Sequence, residues 1–161
     1  MLVVIAIIAT LGGIAVPVSM SMVAKSKETA CLGNLRNIGI GLQGYLQDNN
    51  QTLPILALGR SSKTSNEPVI ETVLLPYVEN PDVFHCPADQ EKFRESGSSY
   101  NWNVTQNGLR ITDVSFFGIR DRPEAVPLVT DKESWHPNGT NFLYADSSSS
   151  SKVRFVTRGG N

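Results

Sequence analysis

The sequence predicts an α+β protein in which one long N-terminal helix packs on a small antiparallel β-sheet. Residues 1–24 carry no charged side chain and are dominated by Leu, Val, Ile and Ala. Residues 25–50 repeat apolar side chains at helical spacing, and the chain after Ser98 alternates short strand-like runs with turn residues. These observations divide the chain into an apolar half-helix at 1–24, an amphipathic half-helix at 25–50 and a globular α+β domain at 51–161.

The apolar segment at 1–24 has the length of a membrane span. A helix rises 1.5 Å per residue, so this segment would extend about 36 Å, and a bilayer core is about 30 Å thick. A secretory signal peptide is the competing interpretation. The apolar run is longer than a typical signal core, no basic region precedes it, and no clear small-x-small cleavage site follows it. We therefore interpret the segment as a retained membrane anchor.

The amphipathic half continues the same helix. Its apolar residues recur every three or four positions, while charged and amide side chains fall mainly between them. The pattern predicts one uninterrupted helix from about Leu2 to Asn49 whose second half buries one face. The residues of that face are Leu32, Leu35, Ile38, Leu42, Tyr45 and Leu46.

The rest of the chain predicts one small domain. Prolines and glycines interrupt residues 54–87 too often for long helices, although a short helix over 69–78 fits the apolar spacing there. Strands are expected at 99–104, 126–130, 141–145 and 153–157, where aromatic and β-branched residues are frequent. Pro137-Asn138-Gly139 is a strong turn signal, and Asp146 with the serine run 147–151 is expected to be a flexible link between the last two strands.

Composition and motifs argue against several function classes. The chain has 14 basic and 15 acidic residues, so it has no electrostatic signature of nucleic-acid binding. It also lacks the G-x-S-x-G, H-E-x-x-H and phosphate-loop patterns of common enzyme sites. We therefore expect neither a nucleic-acid partner nor an enzyme.

Several motifs resemble one known family. The string at 2–11, Pro17 and the segment 31–39 resemble the N-terminal helix of type IV pilin-like proteins, and more narrowly the bacterial type II secretion pseudopilins that carry a C-terminal H-x9-D-G signature. His136 and Asp146 have the spacing of that signature, with Ser147 where the family has Gly. Residues 84–89 and 99–103 are similar to the family's Cys-Pro-Ser-Asp and Ser-Tyr-x-x-Asn blocks.

The resemblance implies a filament subunit with a pilin-like fold. Such a protein would cross the bacterial inner membrane once, expose its C-terminal domain on the periplasmic side, and bind copies of itself, other pseudopilins, membrane lipid and an inner-membrane secretion platform. Small residues in the helix would permit close packing, and Pro17 local unwinding. The expected assembly residues are Leu2, Ile5, Ile8, Gly12, Gly13 and Pro17. The alternative is a membrane-anchored exported domain that binds a ligand or hydrolyses a substrate without polymerising.

The chain departs from the family at its start. Family members begin with a short basic leader ending in Gly, followed by Phe-Thr-Leu-Ile-Glu, whereas Met1 here stands inside the apolar run. Prepilin peptidase processing would need that leader, so we expect the polypeptide as written to be poorly processed and assembled. Lys25 and Lys27 counted alone would place the domain in the cytoplasm, and a basic leader would reverse this count. For the orientation we follow the resemblance, which places the C-terminal domain outside the cytoplasm.

The two cysteines are expected to pair. Cys31 lies on the helix just after the apolar segment, and Cys86 lies in the loop after the predicted short helix. Both would face an oxidising compartment if the domain is exported. The alternative is a pair of buried thiols.

The remaining polar residues include candidate metal ligands. Cys31, Cys86, His85 and His136 offer zinc-binding atoms, but no pair has the short spacing of structural zinc sites. Calcium would use oxygen ligands of Asp131, Asn138 and Asp146, yet no compact acidic loop is present. Solvated turn carboxylates are therefore preferred, and no cofactor is expected.

His136 and Asp146 are expected to be structural rather than catalytic. General acid–base chemistry needs a nucleophile or bound water and an enclosed pocket beside the pair, and the sequence indicates neither. Asp146 is expected to accept backbone N–H groups in the turn that it opens, and His136 to cap the preceding turn.

Overall fold

A computed structural model of the chain describes residues 2–155, apart from the side chains at positions 2 and 5–18. The predicted α+β class is confirmed, because one long helix packs against a four-stranded antiparallel sheet. Helix α1 spans Leu2–Asp48. Three short helices follow, α2 at Ile70–Val73, α3 at Leu75–Val78 and α4 at Lys92–Ser96, together with 3₁₀ turns at Pro81–Phe84, Val104–Gln106 and Pro123–Ala125.

The second half of α1 forms one side of the core. Its buried residues follow the predicted three- and four-residue spacing, whereas Leu32 and Tyr45 are only partly buried. The helix packs against α3, the Pro81–Phe84 turn, and the third and fourth strands. The buried apolar residues of this face are Cys31, Leu35, Ile38, Leu42 and Leu46.

Two glycines of α1 let α3 approach closely. A Cβ atom at Gly41 would lie 2.4 Å from Cγ2 of Val78, and one at Gly44 would lie 3.0 Å from Cδ1 of Tyr77. Both distances are shorter than ordinary van der Waals contacts. A side chain at Gly41 would require Val78 to shift, and one at Gly44 would require the Tyr77 ring to move by a few tenths of an ångström. The absence of side chains at Gly41 and Gly44 thus permits the observed short distance between α1 and α3.

The helix predicted over 69–78 is two short helices instead of one. The hydrogen-bonded turns close from Val73 N to Val69 O and from Leu74 N to Ile70 O, and a new turn then begins at Leu74. Pro76 has no N–H to continue the first helix, and its ring would clash with a carbonyl of the preceding turn. The single-helix prediction is therefore wrong at its centre.

The sheet has the order β1-β2-β3-β4, with every neighbouring pair antiparallel. β1 spans Tyr100–Trp102, β2 Pro127–Asp131, β3 Phe142–Tyr144 and β4 Ser149–Ser150. The first three lie inside or overlap the predicted segments. β1 and β2 pair Tyr100 with Asp131 and Trp102 with Val129. Fully buried residues of the first three strands complete the core, among them Trp102, Leu128 and Leu143.

The fourth strand differs from its prediction. β4 lies inside the serine run that was expected to be a flexible link, and residues 153–155 form no strand. The physical reason is a tight reversal after Tyr144, whose N–H donates to the carbonyl of Ser148 at 2.9 Å and brings the serines directly beside β3. Residues 156 and 157 of the predicted strand lie outside the described residues.

The assembly residues expected in the first half of α1 cannot be assigned contacts. The side chains of Leu2, Ile5, Ile8 and Pro17, and the surroundings of Gly12 and Gly13, lie outside the described residues. Within the part of the chain that is described, no helix contains a stretch long and apolar enough to cross a membrane.

Candidate functional site

A disulfide links α1 to the loop that precedes α4. Cys31 and Cys86 are bonded to each other, and both are fully buried. The predicted disulfide is therefore present. It lies on the buried face of α1, and it joins positions 55 residues apart in the chain. The bridge fixes the N-terminal helix to the globular domain at the level where the helix enters it.

His136 lies directly against this disulfide. Its Nε2 is 3.2 Å from Sγ of Cys86, and its side chain is 1% exposed. The His136–Gly139 turn, closed by a 2.9 Å hydrogen bond from Gly139 N to His136 O, carries the imidazole to this position. His136 was expected to cap a turn; the structure places its ring instead on the sulfur, while Nδ1 has no partner among the described residues.

Asp131, at the end of β2, approaches the same imidazole. Its Oδ2 lies 3.6 Å from His136 Nε2 and accepts a 2.8 Å hydrogen bond from the backbone N–H of Asn141, while Oδ1 has no partner within the described part of the chain. Burial raises the pKa of Asp131 to about 7, with a further contribution from the charge of Glu28. Burial also lowers the pKa of His136. Burial thus disfavours the charged form of each group.

Glu28 closes the cluster from the helix side. This residue of α1 is 5% exposed and lies one turn before Cys31. Its carboxylate accepts hydrogen bonds of 3.0 and 3.1 Å from Nδ2 of Asn138, in the same turn that carries His136. A buried carboxylate needs such donors, because an unpaired one would cost several kcal/mol. We call Glu28, Cys31, Cys86, Asp131 and His136 the junction cluster.

A second hydrogen-bonded carboxylate, that of Asp89, holds the backbone next to the disulfide through Ser99. Asp89 accepts backbone N–H bonds from Glu91, Lys92 and Phe93, and a 2.6 Å bond from Ser99 Oγ. Ser99 Oγ in turn accepts the N–H of Cys86 at 2.9 Å. Burial raises the pKa of Asp89, but the donors outweigh it and the net pKa is lowered. An Asp ahead of a short helix is the sequence signal that could have revealed this role.

Asp146 lies apart from the junction cluster. It is exposed, and its Oδ1 accepts hydrogen bonds from Ser148 N at 2.9 Å and Ser148 Oγ at 2.6 Å. His136 and Asp146 share no hydrogen bond or ion pair in the described part of the chain. Ser147, at the position where the resembling family has Gly, has a φ of 64°, in the left-handed region that favours glycine.

The candidate zinc and calcium ligands do not all lie together in the structure. His85 stacks on Phe93 with ring centroids 4.5 Å apart and does not join the other zinc candidates. The oxygen atoms considered for calcium have separate partners, since Asp131 accepts from Asn141, Asn138 donates to Glu28 and Asp146 accepts from Ser148. Among the described residues, the one group of potential metal ligands comprises Cys31, Cys86 and His136.

The first half of α1 presents an apolar surface. Side chains described there are largely exposed, including Val3 at 71%, Met20 at 71% and Met22 at 65%. They precede Glu28, the first buried position among the described side chains, and Met20 and Val23 line an open cavity with Trp135 of the domain. Exposed apolar side chains grouped on a helix are typical of a segment that binds protein or lipid.

The chain was compared with family models, curated proteins and solved structures, and none of them matches it.

Proposed function

We propose that this protein is a pseudopilin-like structural subunit of a bacterial type II secretion or type IV pilus-like filament. The observation that carries the proposal is the division of α1 into two halves with opposite surroundings. The half after Glu28 buries one face in the domain, whereas the large apolar side chains described in the preceding half are 56% to 71% exposed. Exposed apolar area of this kind favours association, at about 25 cal/mol per Å2 removed from water.

The order of the halves supports polymerisation through the helix. Residues 2–24 would extend about 35 Å in a helix, enough for the membrane before assembly and for a filament core after it. Gly12 and Gly13 supply the small surfaces that close helix packing requires. Extraction of the helix from lipid would be offset by contacts between helices, with work supplied by an inner-membrane platform. The subunit would cross the inner membrane once and expose its domain to the periplasm.

The disulfide is consistent with an exported domain. Such bonds persist in oxidising compartments and are rare in the cytosol. The bridge holds the anchor half of α1 to the globular domain, which a subunit needs if force on the helix is to move the domain. Copies of this chain, other pseudopilins and membrane lipid are the partners that this function requires.

Crosslinking through introduced cysteines tests the proposal. Met20→Cys places a thiol on the exposed apolar half of α1, and Gly12→Cys and Val16→Cys extend the series toward the N-terminus. Ile55→Cys is a matched control, because Ile55 is 73% exposed but lies on the domain. The native cysteines are bonded and buried, so they do not compete.

In native membranes, oxidation should produce disulfide-linked dimers with each single α1 variant, and a ladder of multimers when Gly12→Cys and Val16→Cys are combined in one chain. Ile55→Cys should give much less of the dimer. A monomer band throughout would contradict polymerisation and favour the anchored, non-polymerising alternative.

A further inference from the structure

We propose that the junction cluster, when its disulfide is reduced, is a Zn2+ site whose ligands are Sγ of Cys31, Sγ of Cys86 and Nε2 of His136. The three atoms lie within 4.8 Å of one another and all three residues are buried. They come from α1, the loop before α4 and the turn after β2, so folding rather than sequence spacing brings them together. The inference does not depend on the filament function.

The separations are close to those of a tetrahedral zinc site. Bond lengths of about 2.3 Å to sulfur and about 2.0 Å to imidazole nitrogen place neighbouring ligand atoms about 3.5 Å apart. The observed distance between His136 Nε2 and Cys86 Sγ is 3.2 Å. Little movement of the imidazole is therefore needed, and the thiolate sulfurs need only separate after the bond between them is cleaved.

The histidine is available as a ligand. It is 6% exposed, and neither ring nitrogen has a strong hydrogen-bond partner, since Nε2 faces sulfur and Nδ1 has no partner among the described residues. A buried ring nitrogen without a partner, as Nδ1 is in the described structure, is uncommon, because its desolvation is uncompensated.

The charges around the three ligands favour a divalent cation. Asp131 Oδ2 is 3.6 Å from His136 Nε2, close to the separation of adjacent ligands, and its Oδ1 is unpartnered in the described structure. Two thiolates neutralise the charge of Zn2+, and the carboxylates of Glu28 and Asp131 favour the cation further.

The chemistry requires a two-electron reductant. A dithiol transfers two electrons to the disulfide and is itself oxidised to a disulfide, while each of the two cysteine sulfurs gains one proton. Zn2+ then replaces both thiol protons, so metal binding releases two protons per chain. The oxidised chain has no free thiolate and should not bind Zn2+ at this site.

The experiment is a metal titration of the full-length chain in detergent micelles. The protein is reduced with a dithiol, freed of reductant under anaerobic conditions, and shown by alkylation and mass measurement to have two free thiols. Co2+ is added as a spectroscopic substitute for Zn2+, followed by Zn2+ in competition. Proton release is measured with a pH indicator, and the fold is followed by near-ultraviolet circular dichroism.

We expect one Co2+ per chain, with a sulfur-to-cobalt charge-transfer band that Zn2+ abolishes, and two protons released per Zn2+. His136→Gln should weaken binding at least tenfold. His85→Gln is the matched control and should leave affinity unchanged, because His85 stacks on Phe93 away from the site.

Two results would overturn the proposal. The first is a reduced chain that gives no thiolate-to-cobalt band, whether it stays folded or unfolds without recovering on addition of Zn2+. The second is an affinity that His136→Gln leaves unaltered. If reduction unfolds the chain and Zn2+ restores its circular dichroism, that recovery supports the site, because the metal then supplies folding free energy. A filament that assembles normally while these tests fail would leave the proposed function standing.

Discussion

The protonation of Asp131 makes a quantitative prediction about stability. Its carboxyl is completely buried, and burial raises the pKa from 3.8 to about 7. When the pKa of a carboxyl is higher in the folded than in the unfolded state, ionisation of that carboxyl lowers the free energy of unfolding. The contribution of Asp131 is therefore most favourable below pH 3.8 and becomes a growing penalty as the pH rises toward 7.

The magnitude follows from the shift. A difference of about three pKa units corresponds to about 4 kcal/mol between the acidic and alkaline limits, and to about 2 to 3 kcal/mol between pH 5 and pH 8. Asp131→Asn removes the titration and keeps an oxygen that can accept the N–H of Asn141. We therefore expect the variant to gain about 2 to 3 kcal/mol relative to the parent as the pH rises from 5 to 8.

The assay is urea unfolding of the full-length chain in detergent at pH 5, 6, 7 and 8, followed by tryptophan fluorescence, since Trp102 is fully buried. Asp89→Asn is the matched control. The pKa of Asp89 is lowered, so this carboxyl is ionised in both states throughout that range and its loss should cost the same at every pH. A difference between Asp131→Asn and the parent that stays constant from pH 5 to pH 8 would refute the reasoning.

Three further predictions concern the packing of α1 and its junction. Replacing Cys31 and Cys86 together by Ala should cost up to about 4 kcal/mol in urea unfolding, because the bridge closes a loop of 55 residues; a loss below about 1 kcal/mol would contradict this. Gly41→Ala should destabilise by about 1 to 3 kcal/mol, since its Cβ would meet Val78, whereas Gly33→Ala, with nothing within 4 Å, should stabilise by up to about 1 kcal/mol. Equal melting temperatures for these two variants would show that the close approach of α3 is not limiting. Ser147→Gly and Ser147→Ala both lose the hydrogen bond from Gln43, but only Gly relieves the positive φ, so the Gly variant should be more stable than the Ala variant by about 0.5 to 1 kcal/mol. Thermal unfolding that ranks Ala above Gly would oppose this explanation.

The outcome of the strand predictions shows where sequence patterns are reliable. β1, β2 and β3 coincide with runs of aromatic and β-branched residues, because burial on a pleated surface selects those side chains. β4 consists of Ser149 and Ser150, which carry no such preference. Its pairing depends on the turn at Ser147 and on the adjacent edge of β3, and neither is encoded in the local composition.

The sequence by itself determined the long helix, its change from an uncharged to an amphipathic half, and the approximate positions of three strands. These properties are local, since hydrophobic spacing and turn chemistry act over a few residues. Only the tertiary structure decided that Cys31 meets Cys86, that His136 lies on their sulfurs, and that Asp131 and Glu28 are buried beside them. Those residues are separated by up to about a hundred positions, and their chemistry depends on desolvation and distance, which exist only once the chain has folded.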